Sequence, residues 1–347
     1  MGTLWYWLVA FMITTYVLLD GFDLGAGTIQ FLVAKTSEER RQVIASIGPV
    51  WDGNEVWLIA AGGTLYFAFP SLYASAFSGF YLPLMIVLWL LILRGISIEL
   101  RNHVGGDVWE PMWDFLFCAS SLLLAVFYGA ALGNVVRGVP LDASGYFFEP
   151  LWTNWRLGEE TGILDWYTVL VGVCALAALV MHGAIWLQMK TAGIVSERAG
   201  RAAKRAWWGV VSLTVIVTLV TFGVQPQIRM NLSARPWGFL FPVLAIGGLA
   251  GVRWNLTRKN EAKTFAASCA YLAGMLICVV FGVYPMVLPA RDSVHSLTVA
   301  NAKAGEYGLK IGLVWWAIGI ILVLLYLSIV YRSFAGKVAG EPDSRGQ

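Results

Sequence analysis

Nine apolar runs, parted by short polar breaks, divide the chain into residues 3–34, 50–69, 73–98, 113–137, 163–189, 206–224, 236–254, 263–288 and 309–333. Each is close to the roughly 20 mostly apolar residues a helix needs to cross a hydrocarbon core. The breaks collect charges and helix breakers: 35–49, the single turn at Pro70, the long polar stretch 138–162, then 190–205, 225–235, 255–262 and 289–308. The pattern predicts an all-α integral membrane protein with nine transmembrane helices, forming one membrane domain. Helices 1–4 fall in residues 1–137, a polar loop in 138–162, helices 5–9 in 163–333 and a solvated tail in 334–347. No internal repeat and no inserted soluble domain is visible.

Composition removes the alternatives. Of 347 residues, 58% are hydrophobic and only 13% charged, about half the charge of a soluble domain. So few charges cannot cover a water-soluble globule, and coiled-coil, collagen-like and disordered chains are excluded as well. A net charge of +3 without a basic stripe gives nucleic acid nothing to bind. Cys118, Cys174, Cys269 and Cys278 all lie in apolar runs without a C-x-x-C pair, so they read as inert buried thiols. The start has neither the basic region nor the small-residue site of a cleaved signal peptide.

Basic residues set the orientation. Breaks after odd-numbered helices and the tail, counted with the basic residues at the adjoining helix ends (Arg94, Arg253, Lys263 and Arg332), hold 17 of the 24 Lys and Arg residues. The positive-inside rule therefore puts the amino terminus outside and the carboxyl terminus in the cytoplasm. Tryptophans near helix ends, such as Trp5, Trp7, Trp109, Trp113, Trp207 and Trp208, read as an interfacial belt.

Acids inside a span are expensive and therefore candidates for function. The first set lies in Leu19-Asp20-Gly21-Phe22-Asp23-Leu24-Gly25-Ala26-Gly27. Asp20 and Asp23, three apart, share one helix face, and the glycines allow a close neighbour. The second set opens helix 2, in Val50-Trp51-Asp52-Gly53-Asn54-Glu55-Val56-Trp57, where Asp52 and Glu55 share a face. Both sets fall in the cytoplasmic half of the membrane on adjoining helices. Carboxylates so placed cannot all stay ionised cheaply, which suits proton transfer or a polar ligand. The structural alternative is capping by Asp52 and pairing of Asp23 with a cation. Arg94, near the end of helix 3, is a candidate charge partner, or a side chain snorkelling from a helix end.

Histidine is scarce: His103 in an inner break, His182 inside helix 5 and His295 in an outer break. Haem needs well-placed axial ligands, so His182 is only a weak metal candidate and otherwise a hydrogen-bonded packing residue. The chain has no Walker loop, HExxH, GxSxG or CxxCH motif.

The two acidic segments, LDGFDLGAG and GPVWDGNEVWLIAAGG, resemble the signature of subunit II of cytochrome bd-type quinol oxidases. So do Phe77-Ser78-Gly79-Phe80-Tyr81, Gly133-Asn134-Val135-Val136-Arg137-Gly138-Val139-Pro140 and Met181-His182-Gly183-Ala184-Ile185-Trp186-Leu187 with Lys190-Thr191. The motifs cover helices 1–5; beyond them only helix number and length agree. The resemblance implies two four-helix bundles plus one helix. It also implies a heterodimer with a haem-bearing subunit I and, in some members, small accessory subunits. Such a complex oxidises quinol and reduces oxygen to water, with haems b and d held by subunit I and none by this chain. By motif position, Asp20 and Asp52 become acids of a proton path or quinone pocket, with Asp23, Asn54 and Glu55 as weaker members. Trp57 would border an oxygen route, and a structural quinone would sit among the helices and lipids in some members.

Two other readings stay in play. An ion-coupled secondary transporter also uses intramembrane acids beside glycine-broken helices, although no repeat relates the two halves. A haem enzyme complete in this chain would show a Soret band when expressed alone. A haem-containing partner that co-purifies separates the oxidase from the transporter. The orientation has its own check: a reporter active only outside the membrane, fused after Gln347, should be silent, and strong activity would mean that one span is misassigned.

Overall fold

The structure, a computed structural model, describes residues 1–103, 106–158 and 161–338. Most of the tail, with Glu159 and Glu160 of the polar loop, lies outside the described residues.

Helix α1 (Gly2–Val33) is the centre of the molecule. It packs against α3 (Trp51–Ala68), α6 (Trp109–Arg137), α7 (Trp166–Lys190) and α11 (Glu261–Val283). α5 (Tyr81–His103) lies on α6. α8 (Gly193–Val224) lies on α7, and α10 (Leu240–Thr257) on α11. Glycine brings α1 and α7 into backbone contact. A Cβ on Gly25 would lie 2.0 Å from the Leu179 carbonyl oxygen. The stacked rings of Phe22 and Trp186, 3.8 Å apart, and of His182 and Phe265, 4.9 Å apart, seal the same α1–α7–α11 seam. The last long helix, α13 (Glu306–Ser333), is almost wholly uncovered.

Among the described residues, eight helices are long and apolar enough to cross a membrane. α3 is not among them: Asp52, Asn54 and Glu55 dilute its 18 residues, which still reach about 27 Å at 1.5 Å per residue. Several boundaries differ from the sequence expectation. The expected single run 73–98 is two helices, because α4 (Pro70–Gly79) stops at Phe80 and α5 restarts at Tyr81. At that joint the Phe147 ring fills the space a Gly79 side chain would need, 2.2 Å from its Cβ position. Residues 193–205, expected as a loop, are the first turns of α8, since their Ala, Arg and Lys are strong helix formers. The breaks 35–49 and 225–235 contain short helices, α2 (Ser37–Ile47) and α9 (Pro226–Ala234).

One end of the bundle carries most of the basic residues. The opposite end is built from loops, with a short antiparallel pair β1 (Met286–Leu288) and β2 (Leu297–Thr298), and α12 (Val299–Ala302) follows. An ion cluster ties the polar loop down there. Arg137, at the end of α6, binds Asp165, which also caps α7, and reaches Glu149 at 2.8 Å. Arg291 binds the same Glu149 oxygen.

Burial pushes the Glu149 carboxyl up to about 6, against the Arg137 and Arg291 guanidiniums, which lower it, while Asp165 raises it. Its Oε2 is buried without a hydrogen-bond partner among the described residues, so the neutral acid is well tolerated. A folded-state value above the ordinary 4.5 contributes stability that is complete below about 4.5 and lost as pH rises through about 6. Thermal melts of the parent and Glu149→Gln proteins should therefore diverge over that interval, with the variant lacking the pH step. Parallel curves would contradict the assignment.

Candidate functional site

The helix-1 motif divides its two faces by residue type. Gly21 and Gly25 face α7, within contact of Leu179, while Asp20 and Asp23 are fully buried on another side. Arg94 reaches in from α5 and is itself fully buried. Its two terminal nitrogens donate to the two Asp20 oxygens, one at 2.8 Å and the other closer. Arg94 is thus a buried charge partner rather than a snorkelling end, because the nearest acid lies inside the bundle.

Asp23 joins a second branch. The Asn54 side-chain amide, at the start of α3, donates to Asp23 Oδ2 at 2.8 Å. The Tyr331 hydroxyl of α13 donates to Asn54 Oδ1 at 2.8 Å. Asp23 Oδ1 and Arg94 Nε have no partner among the described residues. Half-buried Glu55 lies within electrostatic range of Arg94, Asp20 and Asp52. On the far side of Asp20, Tyr16 donates to the Tyr128 hydroxyl at 2.9 Å. One guanidinium therefore faces three carboxylates, two of them fully buried.

The structure brings Asp20, Asp23, Asn54, Glu55 and Arg94 together. Asp52 stands apart: it is exposed on the outer face of α3. A Cβ built on the adjoining Gly53 would lie 3.7 Å from the ring of Tyr326, seven residues before the end of α13, which puts Asp52 about 10 Å inside that helix end. Trp57 is buried with Met12, Tyr16 and Ala61, its ring edge-on to Phe11 at 6.2 Å.

His182 is fully buried with both ring nitrogens engaged. Nε2 faces the Leu18 carbonyl at 3.0 Å and therefore carries a proton, while Nδ1 lies 2.8 Å from the Ser268 hydroxyl. His103 is exposed, with its Nδ1 on the Glu99 carbonyl at 2.8 Å. His182 thus has no nitrogen left to ligate a metal without breaking a bond from α7 to α1 or to α11, and these residues do not fit a haem. No cluster of three potential metal ligands occurs among the described residues.

Sequence reasoning missed a further buried acid. Asp114 is fully buried at the basic end, bound by Arg101 Nε at 2.5 Å and Arg40 Nε at 2.6 Å. Its signal was an acid in the first turn of an apolar run. With two guanidiniums on one carboxylate, this cluster has cations in excess, where the Asp20 cluster has acids in excess.

Removing one member of a buried ion pair costs about 3–5 kcal/mol, because the other charge is left stranded. Arg94→Ala should therefore lower the melting temperature and the yield of assembled protein sharply. Adding Asp20→Asn to that variant should recover part of the loss. A double variant no better than Arg94→Ala would mean that the pair is not the cause.

The family whose model matches residues 1–334 is described as cytochrome bd terminal oxidase subunit II. A Haemophilus influenzae protein named "Probable cytochrome oxidase subunit 2" is 29% identical, over 96% of this chain and 94% of its own. The Escherichia coli "Cytochrome bd-I ubiquinol oxidase subunit 2" is 28% identical over 99% and 96%. The Bacillus subtilis "Cytochrome bd ubiquinol oxidase subunit 2" is 30% identical over 89% and 88%. The solved structure of bd oxidase from Geobacillus thermodenitrificans has the same fold, with a TM-score of 0.75, 18% identity, and 96% and 98% of the two chains covered. With the acidic motifs on α1 and α3 in place and this agreement running from end to end, the chain belongs to the family of cytochrome bd terminal oxidase subunit II, and is a multi-helix membrane subunit of a bacterial terminal oxidase.

Proposed function

We propose that this chain is the non-haem subunit of a quinol-oxidising, oxygen-reducing complex and carries a proton route toward its partner. Haems b and d belong to the haem-bearing subunit I, which fits a chain whose one intramembrane histidine is committed to packing. The nine helices comprise α1, α3, α4 with α5, and α6 in one four-helix bundle, α7, α8, α10 and α11 in the second, and α13 alone. The basic end faces the cytoplasm.

The observation that carries the proposal is the position of Asp52. An exposed acid in the first turn of α3, set back about 10 Å from the end of α13, lies at the edge of the hydrocarbon core and cannot face acyl chains cheaply. The face made by α3, α5 and α13 is therefore covered by subunit I. Ile59, Trp89, Trp315 and Leu322, all more than half exposed in this chain, supply the apolar contact around it. Protons entering from the basic end reach Asp52 and Glu55, and the Asp23–Asn54–Tyr331 branch extends the path inward.

Asp20 holds Arg94, whose charge offsets the acids around it. A quinone-pocket reading of Asp20 has less support, since Arg94 occupies both its carboxylate oxygens. Trp57 and its neighbours form an apolar wall suited to an oxygen route. The transporter reading has no observation in its favour.

Asp52→Asn keeps the shape and hydrogen bonding but removes the exchangeable proton. Oxygen consumption should fall about a hundredfold or more, the range for loss of a proton-transfer group, while haem content and subunit yield persist. Unchanged turnover across pH would remove Asp52 from the path. Haem content and activity falling together would make its role structural.

A further inference from the structure

A cleft of ≈ 550 Å³ opens at the basic end, away from the acidic site, lined by Lys35, Arg198, Arg201 and Arg205 above Leu32, Val180, Ala202 and Ala206. Its cations are not matched by acids. Arg198 binds Glu39 at 2.7 Å and the Val33 carbonyl at 3.2 Å, and the Lys35 amine donates to the Phe31 carbonyl at 2.7 Å. Glu39, raised by partial burial but lowered more by the Lys35 amide and Arg198, stays below the ordinary carboxylate value. Arg201 and Arg205 are exposed and have no carboxylate partner among the described residues. Like charges gathered in one cleft repel, so the arrangement has a use only if an anion enters.

We propose that this cleft binds the headgroup of an anionic phospholipid, its phosphate between Arg201 and Arg205. The inference rests on the chain spanning a membrane, not on the proton route. Two features favour a lipid over a free anion. Arg198, Arg201 and Arg205, at spacings of three and four, form one stripe on α8, with Ala202 and Ala206 beside it for an acyl chain. The stripe stops where Trp207 and Trp208 begin, and Trp208 is 61% exposed, as tryptophan is at the level of lipid headgroups. Basic pockets between spanning helices on the cytoplasmic side suit anionic headgroups.

The test titrates the delipidated complex in a neutral detergent with dioleoylphosphatidylglycerol, or dioleoylphosphatidylcholine as control, and reads the first adduct by native mass spectrometry. Arg201→Gln/Arg205→Gln should weaken phosphatidylglycerol about 30-fold, given about 1 kcal/mol for each basic residue near the surface and 1.4 kcal/mol per tenfold. Arg201→Lys/Arg205→Lys should retain most of the affinity, which separates charge from folding, and the phosphatidylcholine control should bind weakly throughout. Equal phosphatidylglycerol affinity in the Gln variant and the parent overturns the proposal. So does equally tight phosphatidylcholine, or displacement of the lipid by millimolar inorganic phosphate, which would make this a free-anion site.

Discussion

A guanidinium with no access to water must have a carboxylate beside it, and the rest of this structure is arranged around that requirement at Arg94. Asp20 meets it with both oxygens. The bond ties α5 to α1 across a gap that their backbones do not close, and it fixes the rotation of α1. Once Asp20 points to Arg94, Gly21 and Gly25 point to α7, where a side chain on Gly25 would collide with the Leu179 carbonyl. The order of acids and glycines in LDGFDLGAG is thus a statement of which neighbour stands on which side.

The same pair leaves a charge problem that leads to function. Asp23 and Glu55 lie near the one guanidinium that Asp20 already holds, with Asn54 and Tyr331 as neutral hydrogen-bond partners. Acids in excess of cations, dry on the inside and ending at an exposed Asp52, are an unstable design for an isolated chain in lipid. They make sense for a subunit whose α3 face is covered, and α13, nearly bare here, is the helix such a partner would complete.

Much of this was legible in the sequence. The helical runs are written as apolar length, and Asp20, Asp23 and Asn54 as polar residues where none is cheap. What stayed hidden depended on contacts across the chain. Arg94 is 74 residues from Asp20, and local pattern alone could not separate a buried partner from a snorkelling end. Asp52 and Asp20 looked equivalent in depth, yet helical rotation puts one outside and the other inside. The first turns of α8 looked like a loop because hydropathy reports burial in lipid, whereas Ala, Arg and Lys form helix in water equally well. Asp114 was overlooked because its two arginines come from separate segments.

The most direct test of the account is an experimental structure of the complete oxidase, read at the surface around Asp52. The account predicts that subunit I covers α3, α5 and α13, with the Asp52 carboxylate meeting protein or ordered water, and Arg94 still on Asp20. Acyl chains packed on Asp52, with the partner docked instead on α8 and α10, would contradict it.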